Sequence, residues 1–111
     1  MTIDQLKEFG ADTAEGLNRC MNNEAFYLKM VGMGLADKRF DELKTALESK
    51  DYDEAFEIVH ALKGVLGNLA LTPLYDLICD MTEDLRARTD KDYMPLYNEI
   101  KEKRDKLVAL G

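Results

Sequence analysis

The segment Glu57–Leu69 reads EIVHALKGVLGNL and contains the only histidine of the 111-residue chain. With about 100° of rotation per residue, an α-helix over this segment places Ile58, Leu62 and Val65 within about 40° of the direction opposite to His60. Such an apolar stripe predicts a helix with one face in a hydrophobic core. The imidazole of His60 is then expected to point away from that core.

Two glycines lie on the same side of this helix as the imidazole, Gly64 at about 40° and Gly67 at about 340° from it. A glycine inside a helix costs about 1 kcal/mol relative to alanine, and an exposed face offers no packing reason for that cost. Lys63 lies one turn after His60, close enough for its ammonium to reach the oxygens of a phosphoryl group on the ring. The glycines therefore predict close approach of a partner.

Helix signals occur along the whole chain, whereas alternating strand patterns are almost absent. Residues suited to cap a helix precede every predicted helix except the one over residues 39–49: Thr2, Asp12, Asn23, Asp51, Thr72 and the segment 90–92. The predicted helices end near Gly10, Met21, Asp37, Ser49, Ala70 and Arg88, and the last one is expected to bury Leu96, Ile100 and Leu107. We predict an all-α fold: an up-and-down helical bundle with a four-helix core and additional short N-terminal helices, forming one domain over residues 1–111.

The amino-acid composition excludes some classes of binding partner. The net charge of -7 opposes binding to nucleic acid or to an anionic membrane surface. No apolar run approaches the length of a membrane span, and the first residues lack the features of a signal peptide. We therefore expect a cytoplasmic protein. Cys20 and Cys79 lie at apolar helical positions and are expected to act as small buried hydrophobic residues.

The chain lacks the residues that most catalytic mechanisms require. A histidine metal site requires more than one histidine, and no glycine-rich loop of the ATP-binding type is present. A carboxylate metal site of the helical-bundle type needs a repeated Glu-x-x-His arrangement, and this chain contains that spacing only once, at Glu57 and His60. We therefore expect neither a metal site nor an enzyme.

The segment HALKGVLGNL at residues 60–69 resembles the signature of histidine-containing phosphotransfer (HPt) domains. Three further segments are similar to small stand-alone bacterial members of that family: NNEAFY at 22–27, DYDEA at 51–55 and LTPL at 71–74. The chain departs from the family at Ala70, where many members carry glycine.

The resemblance implies a phosphorelay intermediate without kinase or phosphatase activity of its own. His60 would accept a phosphoryl group from an aspartyl phosphate on a response-regulator receiver domain and pass it to another receiver. Lys63 would neutralise charge on that group, while Gly64 and Gly67 would let the receiver's loops close over it. Mg²⁺ is expected on the receiver and no cofactor in this chain. The implied partners are receiver domains and hybrid histidine kinases. We expect the protein to be a monomer.

The residues beside the histidine are expected to contact the partner. Phe56 is either a boundary packing residue or an interface anchor, and Glu57 is expected to be a charge at the rim that could influence protonation of the ring. Asn68 could orient Lys63 or take a structural role at the helix end, and we favour the structural role.

Two other functions remain open at the level of sequence. One is a helical adaptor that binds a receiver or kinase without carrying phosphate. The other is a detached histidine-bearing domain of a chemotaxis-type kinase, phosphorylated by a separate ATP-binding chain.

Overall fold

The computed structural model describes all residues from 1 to 111 and consists of helices and connecting turns. Its seven helices are α1 (Ile3–Phe9), α2 (Thr13–Arg19), α3 (Glu24–Leu35), α4 (Arg39–Glu48), α5 (Tyr52–Asn68), α6 (Thr72–Arg86) and α7 (Met94–Val108). None of them has the length and apolar character that a membrane span requires.

Four of the predicted helix starts are confirmed by side-chain caps. Thr2 forms a full capping box with Gln5, since each residue's side chain accepts from the other's backbone N–H. Asp12, Asn23 and Asp51 each accept a hydrogen bond from the backbone N–H three residues later. These bonds satisfy helix N–H groups that have no partner inside the helix.

The predicted start of α6 was wrong in its capping residue. Leu71 is the N-cap and Thr72 is already helical, because the Leu71 carbonyl accepts from the N–H of Tyr75. The Thr72 hydroxyl donates instead to the carbonyl of Ala70 at 3.4 Å. The predicted cap of α7 within residues 90–92 was also wrong, because the N-cap is Tyr93 and its side chain makes no capping hydrogen bond, although the Asp92 carboxylate accepts from the N–H of Met94 at 3.0 Å.

Several helices end one or two residues before the predicted position. Helix α3 ends at Leu35, and α4 begins as a separate helix after Asp37, whose carboxylate accepts from the N–H of Arg39 at 2.9 Å. Helix α5 ends at Asn68 because Ala70 has a φ of 56°, a left-handed conformation that cannot continue the helix.

Helices α4 to α7 form the bundle predicted from sequence, with α5 packed against α4 and α6, and α7 packed against α6, α4 and α3. Contacts at both ends show that α5 and α6 are antiparallel. Gly67, near the end of α5, faces Tyr75 at the start of α6, whereas Phe56 at the start of α5 lies beside Arg86 at the end of α6. The all-α bundle with short N-terminal helices is confirmed.

One hydrophobic core of 25 buried residues runs from Leu6 to Leu107. Helix α7 differs in detail from the prediction, since Leu96 is only half-buried and the neighbouring Tyr97 is buried. The Tyr97 hydroxyl donates to the carbonyl of Phe40 at 3.2 Å, so this phenol can enter the core with its polar group satisfied. Cys20 is buried and Cys79 half-buried, and both are free thiols.

Candidate functional site

His60 lies in the middle of α5 with its side chain exposed. The buried side chains of α5 lie on the opposite face: Ala55, Ile58, Val59, Leu62 and Leu66. Their burial anchors the helix, so the imidazole stands on a rigid element rather than on a loop. The predicted separation of the imidazole from the core is therefore present in the structure.

The imidazole stacks on an aromatic side chain one turn earlier in the same helix. The rings of Phe56 and His60 are nearly parallel, with 5.8 Å between their centroids and 16° between their planes. From α6, the guanidinium carbon of Arg86 lies 5.7 Å from the centroid of Phe56. Both distances fall within the usual range of aromatic and cation–π pairs.

In the helical turn that follows His60, Lys63 supplies a positive charge and Gly64 leaves the surface free of side chains. Lys63 is half-buried and forms no salt bridge within the chain, so its ammonium is free to bind an anion. Gly64 is exposed, and a Cβ added there would meet no atom within 4 Å. Packing within this chain therefore does not explain the glycine at 64.

Gly67 differs from Gly64 and corrects the expectation of two equally open glycines. A Cβ at Gly67 would lie 3.1 Å from the ring of Tyr75, which packs over it from α6. The surface of α5 beside His60 is thus open at Gly64 and covered by Tyr75 at Gly67. A hydrogen bond with the Cys79 side chain raises the pKa of the Tyr75 phenol above its ordinary value.

Asn68 connects α5 to the N-terminal part of the chain. Its side-chain oxygen accepts a hydrogen bond from Arg19 of α2 at 3.1 Å, and Arg19 also pairs with Glu15 at 2.9 Å. Asn68 thus has a side-chain partner other than Lys63.

Surface clefts lie on both sides of the histidine. A groove of about 440 Å³ is lined by Lys63, Gly64, Gly67, Asn68 and residues of α2 and α6. A second cleft of about 550 Å³ lies between α5 and α6 and is lined by Phe56, Glu57 and Arg86 among others. The seven residues singled out from sequence therefore occupy one continuous side of α5.

Three neighbours of the site were missed from sequence: Arg19, Tyr75 and Arg86. Tyr75 and Arg86 lie as far apart along α6 as Gly67 and Phe56 do along α5, so an antiparallel register would have paired them once one contact was known. The sequence contains no local signal for that register. No group of three or more His, Cys, Asp or Glu side chains in the structure could hold a metal ion.

Comparison with known proteins assigns a family. A sequence model of the Hpt domain matches residues 34–109, well over half of the chain. Searches of curated proteins and of solved structures gave no match.

The chain belongs to the Hpt domain family, as the resemblance of its histidine segment predicted. Hpt domains are phosphotransfer carriers of two-component signalling that interact with receiver domains and histidine kinases. The matched range includes α4 to α7 and the site on α5, whereas α1 and α2 precede it.

Proposed function

We propose that this chain is a phosphorelay intermediate in which His60 carries the phosphoryl group between two receiver domains. The exposed imidazole on a rigid helix, opposite the core and next to an unpaired lysine, is the observation that carries the proposal. An exposed imidazole is nucleophilic near neutral pH and needs no activating base.

The transfer exchanges one bond to phosphorus for another. The Nε2 nitrogen of His60 attacks the phosphorus of the receiver's aspartyl phosphate, and the P–O bond breaks as the N–P bond forms. The aspartate leaves as a carboxylate, and the proton on Nδ1 stays on the ring. Passing the group to a second receiver reverses these bond changes, so no oxidant or nucleotide is consumed.

The neighbouring residues have distinct roles in this proposal. Lys63 places a positive charge beside the phosphoryl group, whose oxygens carry negative charge during transfer. Gly64 leaves room for the receiver's backbone to approach the imidazole. The receiver is expected to supply the acidic residues and the Mg²⁺ that stabilise the transferring phosphoryl group. Phe56, Glu57, Gly67 and Asn68 frame the docking face.

The test is transfer from a phosphorylated receiver domain. Receivers of the same organism, labelled with radioactive phosphate, should give this chain a label that is labile in acid and stable in alkali. The chain has one histidine, so any phosphohistidine must be His60. The variant His60→Gln changes an exposed side chain and should take no label.

Three outcomes would contradict the proposal. Wild type that takes no label from any active receiver would refute phosphoryl transfer. Receiver binding that is equal in wild type and His60→Gln, again without transfer, would favour an adaptor. Label that appears only with ATP and a separate kinase catalytic domain would favour the chemotaxis-type arrangement.

A further inference from the structure

The His60 imidazole stacks on the ring of Phe56, with 5.8 Å between the ring centroids. No hydrogen bond to another group of the chain holds the imidazole. An exposed side chain without such bonds exchanges among its staggered rotamers. Stacking on Phe56 is therefore the contact that can select one of them.

Phe56 is itself held in place from two sides. Its side chain is half-buried and packs against the hydrophobic core, and the Arg86 guanidinium lies 5.7 Å from its ring centroid. Arg86 has only a loose ion pair with Glu83, at 3.8 Å, so the carboxylate does not hold it away from the ring. A guanidinium over an aromatic face is attracted to it, which restrains the ring.

We propose that Phe56, restrained by Arg86, is a positioning residue that holds the His60 imidazole in one orientation for phosphoryl transfer. The proposal rests on the function proposed above. Transfer requires the attacking nitrogen to lie in line with the breaking P–O bond, and a ring already oriented loses less freedom when the receiver docks. The partner then meets a nucleophile that is ordered before contact.

This role differs measurably from that of an interface anchor. An anchor contributes to receiver affinity, so its loss raises the receiver concentration needed for half-maximal transfer. A positioning residue acts after docking, so its loss lowers the maximal rate and leaves that concentration unchanged.

The experiment compares Phe56→Leu, Phe56→Tyr and wild type in single-turnover transfer from a phosphorylated receiver at increasing receiver concentration. Leucine keeps apolar bulk without a ring face, whereas tyrosine keeps the ring. We expect Phe56→Leu to lower the maximal rate by roughly twofold to tenfold, the size that an aromatic pair represents, with half-saturation unchanged. Phe56→Tyr should match wild type.

Arg86→Met, an exposed substitution that leaves the core intact, serves as the second variant. It should lower the maximal rate by less than Phe56→Leu does, because the aromatic pair remains. Maximal rates equal to wild type in both Phe56→Leu and Arg86→Met, or an effect confined to half-saturation, would overturn the proposal. Wild type that is never phosphorylated would overturn the proposed function instead, so the two failures are distinct.

Nuclear magnetic resonance provides a measurement that needs no receiver. Wild type should show cross-relaxation between the Phe56 and His60 ring protons, with three-bond couplings of one dominant χ1 rotamer at His60. In Phe56→Leu the same couplings should be averaged. A single rotamer that persists in Phe56→Leu would show that something other than the stack orients the imidazole.

Discussion

The phenol of Tyr27 donates a hydrogen bond of 2.8 Å to the carbonyl oxygen of Leu69, at the point where the histidine helix ends. The ring of Tyr27 reaches this position because residue 16 is glycine, where a Cβ would lie 2.5 Å from the ring atoms. Close by, the N–H of Asp12 donates to the carbonyl of Ala70 at 2.9 Å. The N-terminal part of the chain thus satisfies carbonyls that the end of α5 leaves unpaired.

Removing the Tyr27 hydroxyl should destabilise the fold without altering the surface around His60. Tyr27→Phe leaves the buried Leu69 carbonyl without this donor, and we expect a loss of about 1–2 kcal/mol in the free energy of unfolding by urea denaturation. Tyr52→Phe is the control, because the Tyr52 hydroxyl makes no hydrogen bond within the chain. Equal stability of the two variants would contradict the role given to this bond.

Alkaline pH should weaken the fold in a defined range. Burial raises the pKa of Tyr27 from 10.0 to about 12. Between these values the folded state retains a proton that the unfolded chain has released, so the free energy of unfolding falls as pH rises from about 10 to about 12. Burial also raises the pKa of Tyr93 and Tyr97. Tyr27→Phe should therefore reduce the slope of stability against pH without abolishing it, whereas an unchanged slope would argue against this titration.

Adding a side chain at Gly64 should block the partner while leaving the fold intact. We expect Gly64→Gln to slow transfer by about tenfold or more, with helical circular dichroism and thermal stability maintained. Gly32 is the matched control, since it is exposed on α3 and a Cβ there would also meet nothing within 4 Å. Gly32→Gln should transfer at the wild-type rate. Equal rates for both variants would refute the assignment of Gly64 to partner access.

Lys63 should matter for transfer and little for stability. It forms no salt bridge, so Lys63→Gln should leave the unfolding midpoint nearly unchanged while it lowers the maximal transfer rate. Lys44→Gln on α4 removes the same charge from an exposed position of another helix and is the control for net charge. A similar slowing by both variants would indicate a general charge effect rather than a contact with the phosphoryl group.

Replacing Ala70 by glycine should stabilise the chain. Ala70 has a φ of 56°, a conformation that costs a residue with a Cβ about 1–2 kcal/mol. Glycine removes this cost, but its greater conformational freedom in the unfolded chain offsets part of the gain in stability. We expect a net gain of about 0.5–1 kcal/mol. The control Ala61→Gly lies inside α5 and should destabilise by about 0.5–1 kcal/mol. A loss of stability in Ala70→Gly would show that its buried methyl group outweighs the backbone strain.

The local structure and the exposure of His60 could be predicted from the amino-acid sequence. The bonds that begin α1, α2, α3 and α5 join residues three apart, and the apolar period of α5 places His60 opposite the core. Both kinds of information lie within one or two helical turns, so they can be read from the chain directly.

The side chains that surround His60 and α5 could not be predicted from the sequence, because they come from other helices. Tyr75 covers Gly67, Arg86 restrains Phe56, and Arg19 holds Asn68. These contacts join residues distant in sequence, and they depend on the antiparallel register of α5 and α6 and on the docking of α2. Register is fixed by how the whole core packs, and no single segment contains that information.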